Sequence, residues 1–260
     1  MLFADSLLAR RIEAAEAANA RGCSSGADGS AAAVLEIAGG CAIFVGAGSP
    51  LTQAVGLGLN GPVSDAELAE VECFFRSRGA KVSIDLCPLA DARLVEALAH
   101  RGYRVSEFNN VLVKRLAGSE IVFTPRVRRA TAAEGDLWAH IVGQGFFEQG
   151  ELTTGELNVG RAIFAMPGAI CHLAVSEKGE LAGGAASAIR GGLATMFADS
   201  VIPRFRRLGL HGELIAARLN EALAQGCDMA TASTLPASAS QRNYERLGFE
   251  VVYTKVTMVA

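Results

Sequence analysis

A chain of 260 residues is long enough for two domains of common size or for one large domain, so organisation along the sequence has to decide between them. Half of the residues are apolar and a fifth are charged, which supplies a buried core and excludes disorder over most of the length. A formal charge of −3 leaves nucleic acid without an electrostatic footprint, so small-molecule or protein partners are expected.

The opening segment, 3–20, places Leu7, Leu8, Ile12 and Ala15 at helical spacing with charged residues between them, and reads as an amphipathic helix. Those interleaved charges exclude a signal peptide, and no run of about 18 apolar residues is present, so no membrane span and a cytoplasmic location are expected. Residues 21–33 are small and polar and read as a loop. Strands are expected at 33–38, 41–45 and 54–59. Ser64 and Glu67 then form a capping box that opens a helix carrying Leu68, Val71 and Phe75 on one face until Gly79. A strand at 81–86, a helix at 91–100 and a strand at 104–113 complete this half. The six cysteines form no CxxC pair and read as small buried residues, with neither zinc, another metal nor a disulfide framework indicated.

Downstream, a strand at 127–130 and helices within 137–147 lead through a variable loop at 145–160 to strands at 170–175, 182–189 and 193–201. A helix starting near 209–212 runs to Gly226. A strand at 228–233, a short helix capped by Ser240 and ending at Gly248, and a last strand from Phe249 follow. AHRGYRVSEFNNVLVKR and YERLGFEVVYTKVTMVA both pass from helix to glycine to aromatic to alternating strand. The preceding helix ends are similarly spaced, 23 positions from Gly79 to Gly102 and 22 from Gly226 to Gly248. A tandem duplication of one α/β unit is therefore expected, with its seam at Ala117, Gly118 and Ser119 and with domains at 1–118 and 119–260.

The segment with chemistry is SVIPRFRRLGLHGELIAARLNEALAQG, a strand-to-helix turn rich in glycine and arginine. Such a turn offers unpaired N–H groups and about half a positive charge at the helix start, which suits a pyrophosphate. Gly209 and Gly212 permit close approach of the main chain, and Arg204, Arg206 and Arg207 can add charge-assisted bonds. At Arg206, Gly209 and His211, preceded by Val201-Ile202-Pro203, the chain resembles the GNAT acetyltransferase superfamily. Its coenzyme A loop reads Gln or Arg, two residues, Gly, one residue, Gly or Ala. His211 departs from the small residue of that pattern. Thirty-seven residues beyond Arg206, Asn243-Tyr244-Glu245-Arg246-Leu247-Gly248-Phe249 resembles the family's closing signature.

The resemblance covers residues 120–258. It implies an α/β fold of tandem GNAT-like units, with mixed, mostly antiparallel sheets flanked by helices. It also implies acetyl-coenzyme A as acyl donor, with no metal, and a primary amine on a small molecule or peptide as acceptor. The loop residues Arg206, Arg207, Leu208, Gly209, Leu210, His211 and Gly212, with Val201, Ile202 and Asn243, are the implied cofactor contacts. Strand residues 198–201 would splay from their neighbour to receive pantetheine, an N–H near Val201 would meet the oxyanion, and Tyr244 would be the acid. No base stands out among Asp199, His172 and Glu148. At a helix start His211 reads as a neutral donor, because the dipole disfavours its protonated form. The first half has no Arg or Lys between Val45 and Phe75 and opens its helix with Asp65, Glu67 and Glu70. It reads as a degenerate copy without a phosphate loop, which buries apolar surface and walls the acceptor cleft. A non-catalytic module that binds acyl-coenzyme A or docks a partner is the alternative, and a homodimer is left open.

Overall fold

The computed structural model describes residues 4–26, 32–118 and 122–260; Phe3, residues 27–31 of the expected loop and Ser119 at the seam lie outside them. In the first half, helix α1 (Ser6–Gly26) precedes strands β1 (Ala33–Ile37), β2 (Gly40–Phe44) and β3 (Gln53–Val55). Helix α2 (Asp65–Arg76), β4 (Ser83–Leu86), α3 (Ala92–His100) and β5 (Arg104–Arg115) follow. The second half comprises β6 (Val127–Arg129), α4 (Gly135–Phe147), α5 (Thr154–Ala165), β7 (Ala169–Val175), β8 (Leu181–Arg190) and β9 (Leu193–Val201). It ends with α6 (Leu210–Ala224), β10 (Met229–Thr234), α7 (Ala239–Arg246) and β11 (Glu250–Val259).

Three expectations are corrected. Helix α1 continues through residues 21–26, because Ala17 and Cys23 bury against the sheet and α5, while Leu7, expected on the buried face, is 75% exposed. Residues 154–165 form α5 rather than loop: Thr153 and Glu156 make a capping box, and Gly160 lets α5 lie against Ala139 of α4, where a Cβ would come within 2.7 Å. Ser238, not Ser240, caps α7 through a bond from the Gln241 N–H. The capping box of α2 at Ser64 and Glu67 stands as expected.

Among the described residues the strands form one eleven-stranded sheet in the order β1-β2-β3-β4-β11-β5-β10-β9-β8-β7-β6. The neighbours are antiparallel apart from β3–β4 and β10–β9. Helices α1, α4 and α5 pack on one face and α2, α3, α6 and α7 on the other. The two halves are not side by side. Each places its last strand in the other's sheet, β11 beside β4 and β5 beside β10, and the two exchanged strands pair with each other. Asn109 and Lys255, each seven residues beyond the glycine that ends its preceding helix, face one another in that pairing, so a pseudo-twofold axis passes between them.

Buried charge fastens the exchange. Lys255 on β11, 2% exposed, pairs with Glu13 at 3.3 Å, Asp85 at 2.6 Å and Glu16, and Tyr253 donates to Glu13 at 2.9 Å. Three carboxylates thus share one ammonium, and burial pushes the Glu13 carboxyl up to about 7.

Candidate functional site

Beyond β9 the chain makes a single 3₁₀ turn, Pro203–Phe205, before α6. Arg207 and Gly209 are both left-handed, with φ of 65° and 81°. For arginine that conformation is strained, and such residues concentrate at functional sites. The Arg206 N–H donates to Pro203 O and the Glu213 N–H to Gly209 O; among the described residues the six N–H groups between them, Arg207 to Gly212, have no protein acceptor. Arg206 to Gly209 are exposed at the positive end of α6, while Leu210 is buried and His211 and Gly212 are half-buried. Successive N–H groups around left-handed residues form an anion-binding concavity. Glu213 in the first turn is neutralised by Arg126, which also donates to Leu208 O at 2.9 Å. The Arg206 guanidinium turns back instead, to Val201 O, Gly145 O and Glu148, and fastens the end of α4 to the end of β9. Among the described residues Arg207 has no side-chain partner, and Arg204 stacks on Phe205.

Parallel pairing of β9 with β10 stops at Met196↔Ala232, although both strands continue. Two residues of β9, Ala198 and Asp199, stand opposite one of β8 in a bulge where Ala198 has φ 55°. The bulge bends β9 away and opens a gap between the parallel strands. Helix α4 supports the bent segment: Ser200 donates to Val142 O at 2.8 Å, and a Cβ on Gly145 would meet Ser200 Cβ at 2.9 Å. Val201 and Ile202 are buried, with the Ile202 N–H donating to Ala182 O and the Val201 carbonyl accepting from Arg206. At the end of β10 the Thr234 hydroxyl is buried without a partner. An orphaned hydroxyl at this place fits a gap made to hold a polar chain.

Side chains from three elements meet at the bulge. Tyr244 on α7 is 1% exposed and donates its hydroxyl hydrogen to Asp199 Oδ2 at 2.5 Å. Arg218 on α6 donates to Asp199 Oδ1 at 2.8 Å and to the Tyr244 oxygen at 3.2 Å. His211 Nε2 lies 3.1 Å from Asp199 Oδ2, and Asn243 Nδ2 is 2.9 Å from His211 Nδ1. Burial would raise the Asp199 carboxyl, but Arg218 and His211 outweigh it and hold the group far below the usual range. Both Asp199 oxygens are engaged by these partners. Burial pushes the Tyr244 phenol well up, Arg218 opposes this and Asp199 adds to it.

Of the other sequence-named bases, Glu148 is exposed and paired with Arg206. Burial, reinforced by Arg218, pushes His172 on β7 down to about 4, and its Nδ1 is buried without a partner. Sequence reading did not single out Arg218 or Thr234. A charged residue within the apolar face of Leu214, Ile215 and Leu219 was the available signal for Arg218. A cleft of about 470 Å³ opens between the β2–β3 loop, 45–50, and α5, with Phe147, Asn158 and Arg161 on its wall. Both halves line it.

The site thus joins a splayed pair of parallel strands to a helix whose first turn presents unpaired N–H groups. Residues 143–249 match the sequence profile of the acetyltransferase (GNAT) family. The whole chain is a tandem GNAT fold. It is similar to a GCN5-related N-acetyltransferase from Kribbella flavida, at 19% identity over 96% of this chain and 94% of that one, with a TM-score of 0.69. It is similar also to a tandem GNAT protein from the clavulanic acid biosynthesis pathway, at 17% identity, 98% and 93% coverage and a TM-score of 0.62. A GCN5-related N-acetyltransferase from Sphaerobacter thermophilus aligns over 88% of this chain and 75% of its own, at 13% identity and a TM-score of 0.58. At these identities the likeness is one of fold. No curated protein matches the chain. Among the described residues no helix is long and apolar enough to cross a membrane.

Proposed function

We propose that the second half, 119–260, carries acetyl from acetyl-coenzyme A to a primary amine, and that the first half, 1–118, binds no coenzyme A. The single observation that carries this reading is the run of unpaired N–H groups from Arg207 to Gly212 beside an opened strand pair. The pyrophosphate would sit on those donors with Arg207 beside it, through the main chain of Leu208, Gly209, Leu210, His211 and Gly212. Pantetheine would lie along the gap between β9 and β10, with Val201 and Ile202 on its wall and Thr234 and Asn243 as polar neighbours. Its thioester would then point to the bulge, where a main-chain N–H before Val201 meets the oxyanion. We assign Tyr244 the proton for the departing thiolate. The cleft between residues 45–50 and α5 is the acceptor site in this reading, because Phe147 on its wall lies two residues from Gly145, which presses on the bent strand.

The first half has the equivalent turn filled from within. Ser64 and Glu67 satisfy each other's N–H groups at the start of α2, and Arg101 takes Asp65. Of the first-turn donors only the Asp65 and Ala66 N–H groups are left without an acceptor among the described residues, and the carboxylates of Asp65 and Glu67 would repel a phosphate there. Calorimetry with coenzyme A, followed by release of free thiol from acetyl-coenzyme A across an amine library, tests the proposal. One site per chain and amine-dependent thiol release are expected. Binding without turnover on any amine would favour a non-catalytic acyl-coenzyme A module, for which the engaged state of Tyr244 is the supporting observation. No binding would overturn both.

A further inference from the structure

Arg218 is 0% exposed in the middle of an apolar helix face, and its partner Asp199 sits on the bent end of β9. Burying an ion pair gains little stability over apolar residues of the same volume, so its retention here calls for another account. Four of the five N–H donors of Arg218 are used: Nε to Leu214 O at 3.0 Å, Nη1 to Ala186 O at 3.1 Å and to Asp199, Nη2 to the Tyr244 oxygen. The tyrosine hydroxyl is thereby held between a charged acceptor on β9 and a charged donor on α6. The reading above gives neither charged residue a part.

We propose that Asp199 and Arg218 are positioning residues for acyl transfer, which hold the Tyr244 oxygen in place and meet the charge that develops on it. The inference rests on the N-acyltransferase reading. In the resting site the hydroxyl hydrogen points at Asp199. During transfer the amine nitrogen bonds to the acyl carbon and the carbon–sulfur bond breaks, while the O–H turns about its C–O bond from Asp199 to the departing sulfur and its hydrogen passes from oxygen to sulfur. The phenolate then takes back the hydrogen that the new amide nitrogen must lose, so the site ends as it began and needs no further reactant. Arg218 already donates to that oxygen, and a charge-assisted bond strengthens as the charge forms. Asp199 opposes loss of the hydrogen until sulfur can accept it. The charged or titratable groups facing Tyr244 are Asp199 from β9 and Arg218 and His211 from α6, while β8 contributes only the Ala186 carbonyl.

Asp199→Asn keeps the shape and removes the charge. In the full chain it should lower kcat about 10-fold or more with unchanged coenzyme A affinity by calorimetry. It should also move the alkaline limb of the kcat profile to lower pH, because Arg218 then favours the phenolate unopposed. In a Tyr244→Phe background the same substitution should have no further effect on kcat. An equal loss in both backgrounds, an unmoved alkaline limb, or coenzyme A affinity lost with turnover would overturn the inference in favour of a purely structural pair. Ultraviolet titration of tyrosinate in the unmodified chain against Tyr244→Phe needs no Asp199 variant. The two curves should coincide until alkaline unfolding, and one more tyrosine ionising in the ordinary phenol range of the unmodified chain would refute the hold. Failure of the unmodified chain to bind coenzyme A is a separate result, which overturns the N-acyltransferase reading itself.

Discussion

Replacing Gly209 by glutamate tests the anion loop at its centre. Gly209 is left-handed with φ 81°, and the nearest atom to an added Cβ is Arg126 Nη2 at 3.5 Å, so the side chain has room. Two effects then act. The left-handed backbone costs a residue with a Cβ about 1–2 kcal/mol, and Gly209→Ala measures this part alone. The new carboxylate would lie among the N–H groups from Arg207 to Gly212 and compete with Glu213 for Arg126. Two unit charges about 4 Å apart at an effective dielectric constant of about 20 repel by about 4 kcal/mol. At about 1.4 kcal/mol per tenfold, this weakens coenzyme A by about 10³-fold. Titration calorimetry on both variants, with circular dichroism to confirm folding, separates charge from strain. A folded Gly209→Glu chain that binds within about threefold of the unmodified one would refute the placement of the pyrophosphate.

Tyr244→Phe keeps the ring against Phe249 and removes the hydroxyl, so turnover should fall by about 10²-fold with little change in coenzyme A affinity by calorimetry. Gly145→Ala forces a Cβ to within 2.9 Å of Ser200 Cβ and 3.0 Å of the Val201 carbonyl carbon. Such overpacking costs about 1–3 kcal/mol and should lower the melting temperature by several degrees, with weaker coenzyme A binding because the strand it displaces walls the gap. Burial pushes Glu13 up to about 7, so folding takes up a proton there. Its stabilising contribution is complete below the ordinary carboxylate range and is lost as pH rises through 7. Glu13→Gln should therefore flatten the fall in melting temperature between about pH 5 and 8.

Much of this fold is written in local pattern. The capping box at Ser64, the glycines that end helices and the strand alternation place the elements of both halves because each signal acts within a few residues. The loop was legible for the same reason: Gly209 and the following apolar helix are contiguous in sequence. Helix α5 was hidden by Gly155 and Gly160, which argue for a loop by propensity, although Thr153 and Glu156 carried a start signal. Gly160 belongs there for packing against Ala139, a fact of tertiary structure. Glu13 and Arg218 sit on apolar helix faces where charge is out of place, and only the structure shows that Lys255 and Asp199 wait opposite them. The strand exchange could not be read at all. β5 and β11 have the same pattern and the same spacing from their helices, so either would satisfy either sheet.

That equivalence makes the exchange testable. Cutting the chain at 118/119 leaves β10 without β5 along the six positions from Met229 to Thr234, and leaves β11 without either neighbour. The apolar cluster of Ala9, Ile12, Val111 and Val113 with Leu193, Met229 and Tyr253 is divided as well, and Lys255 loses Glu13, Glu16 and Asp85 together. A buried ammonium stripped of its partners costs several kcal/mol, a large part of the total stability of a domain. We therefore expect fragments 1–118 and 119–260 to be unfolded or aggregated alone, and to recover on co-refolding one cooperative melt and one coenzyme A site per pair. The rival outcome is specific. Pseudo-symmetry offers β11 the place beside β10 that β5 now holds, and a fragment 119–260 that closes on itself in this way would be monomeric, melt cooperatively and bind coenzyme A. Sedimentation, thermal melts and calorimetry on the separate fragments decide between them, and a folded, binding-competent 119–260 would refute the claim that the first half completes the sheet on which the site depends.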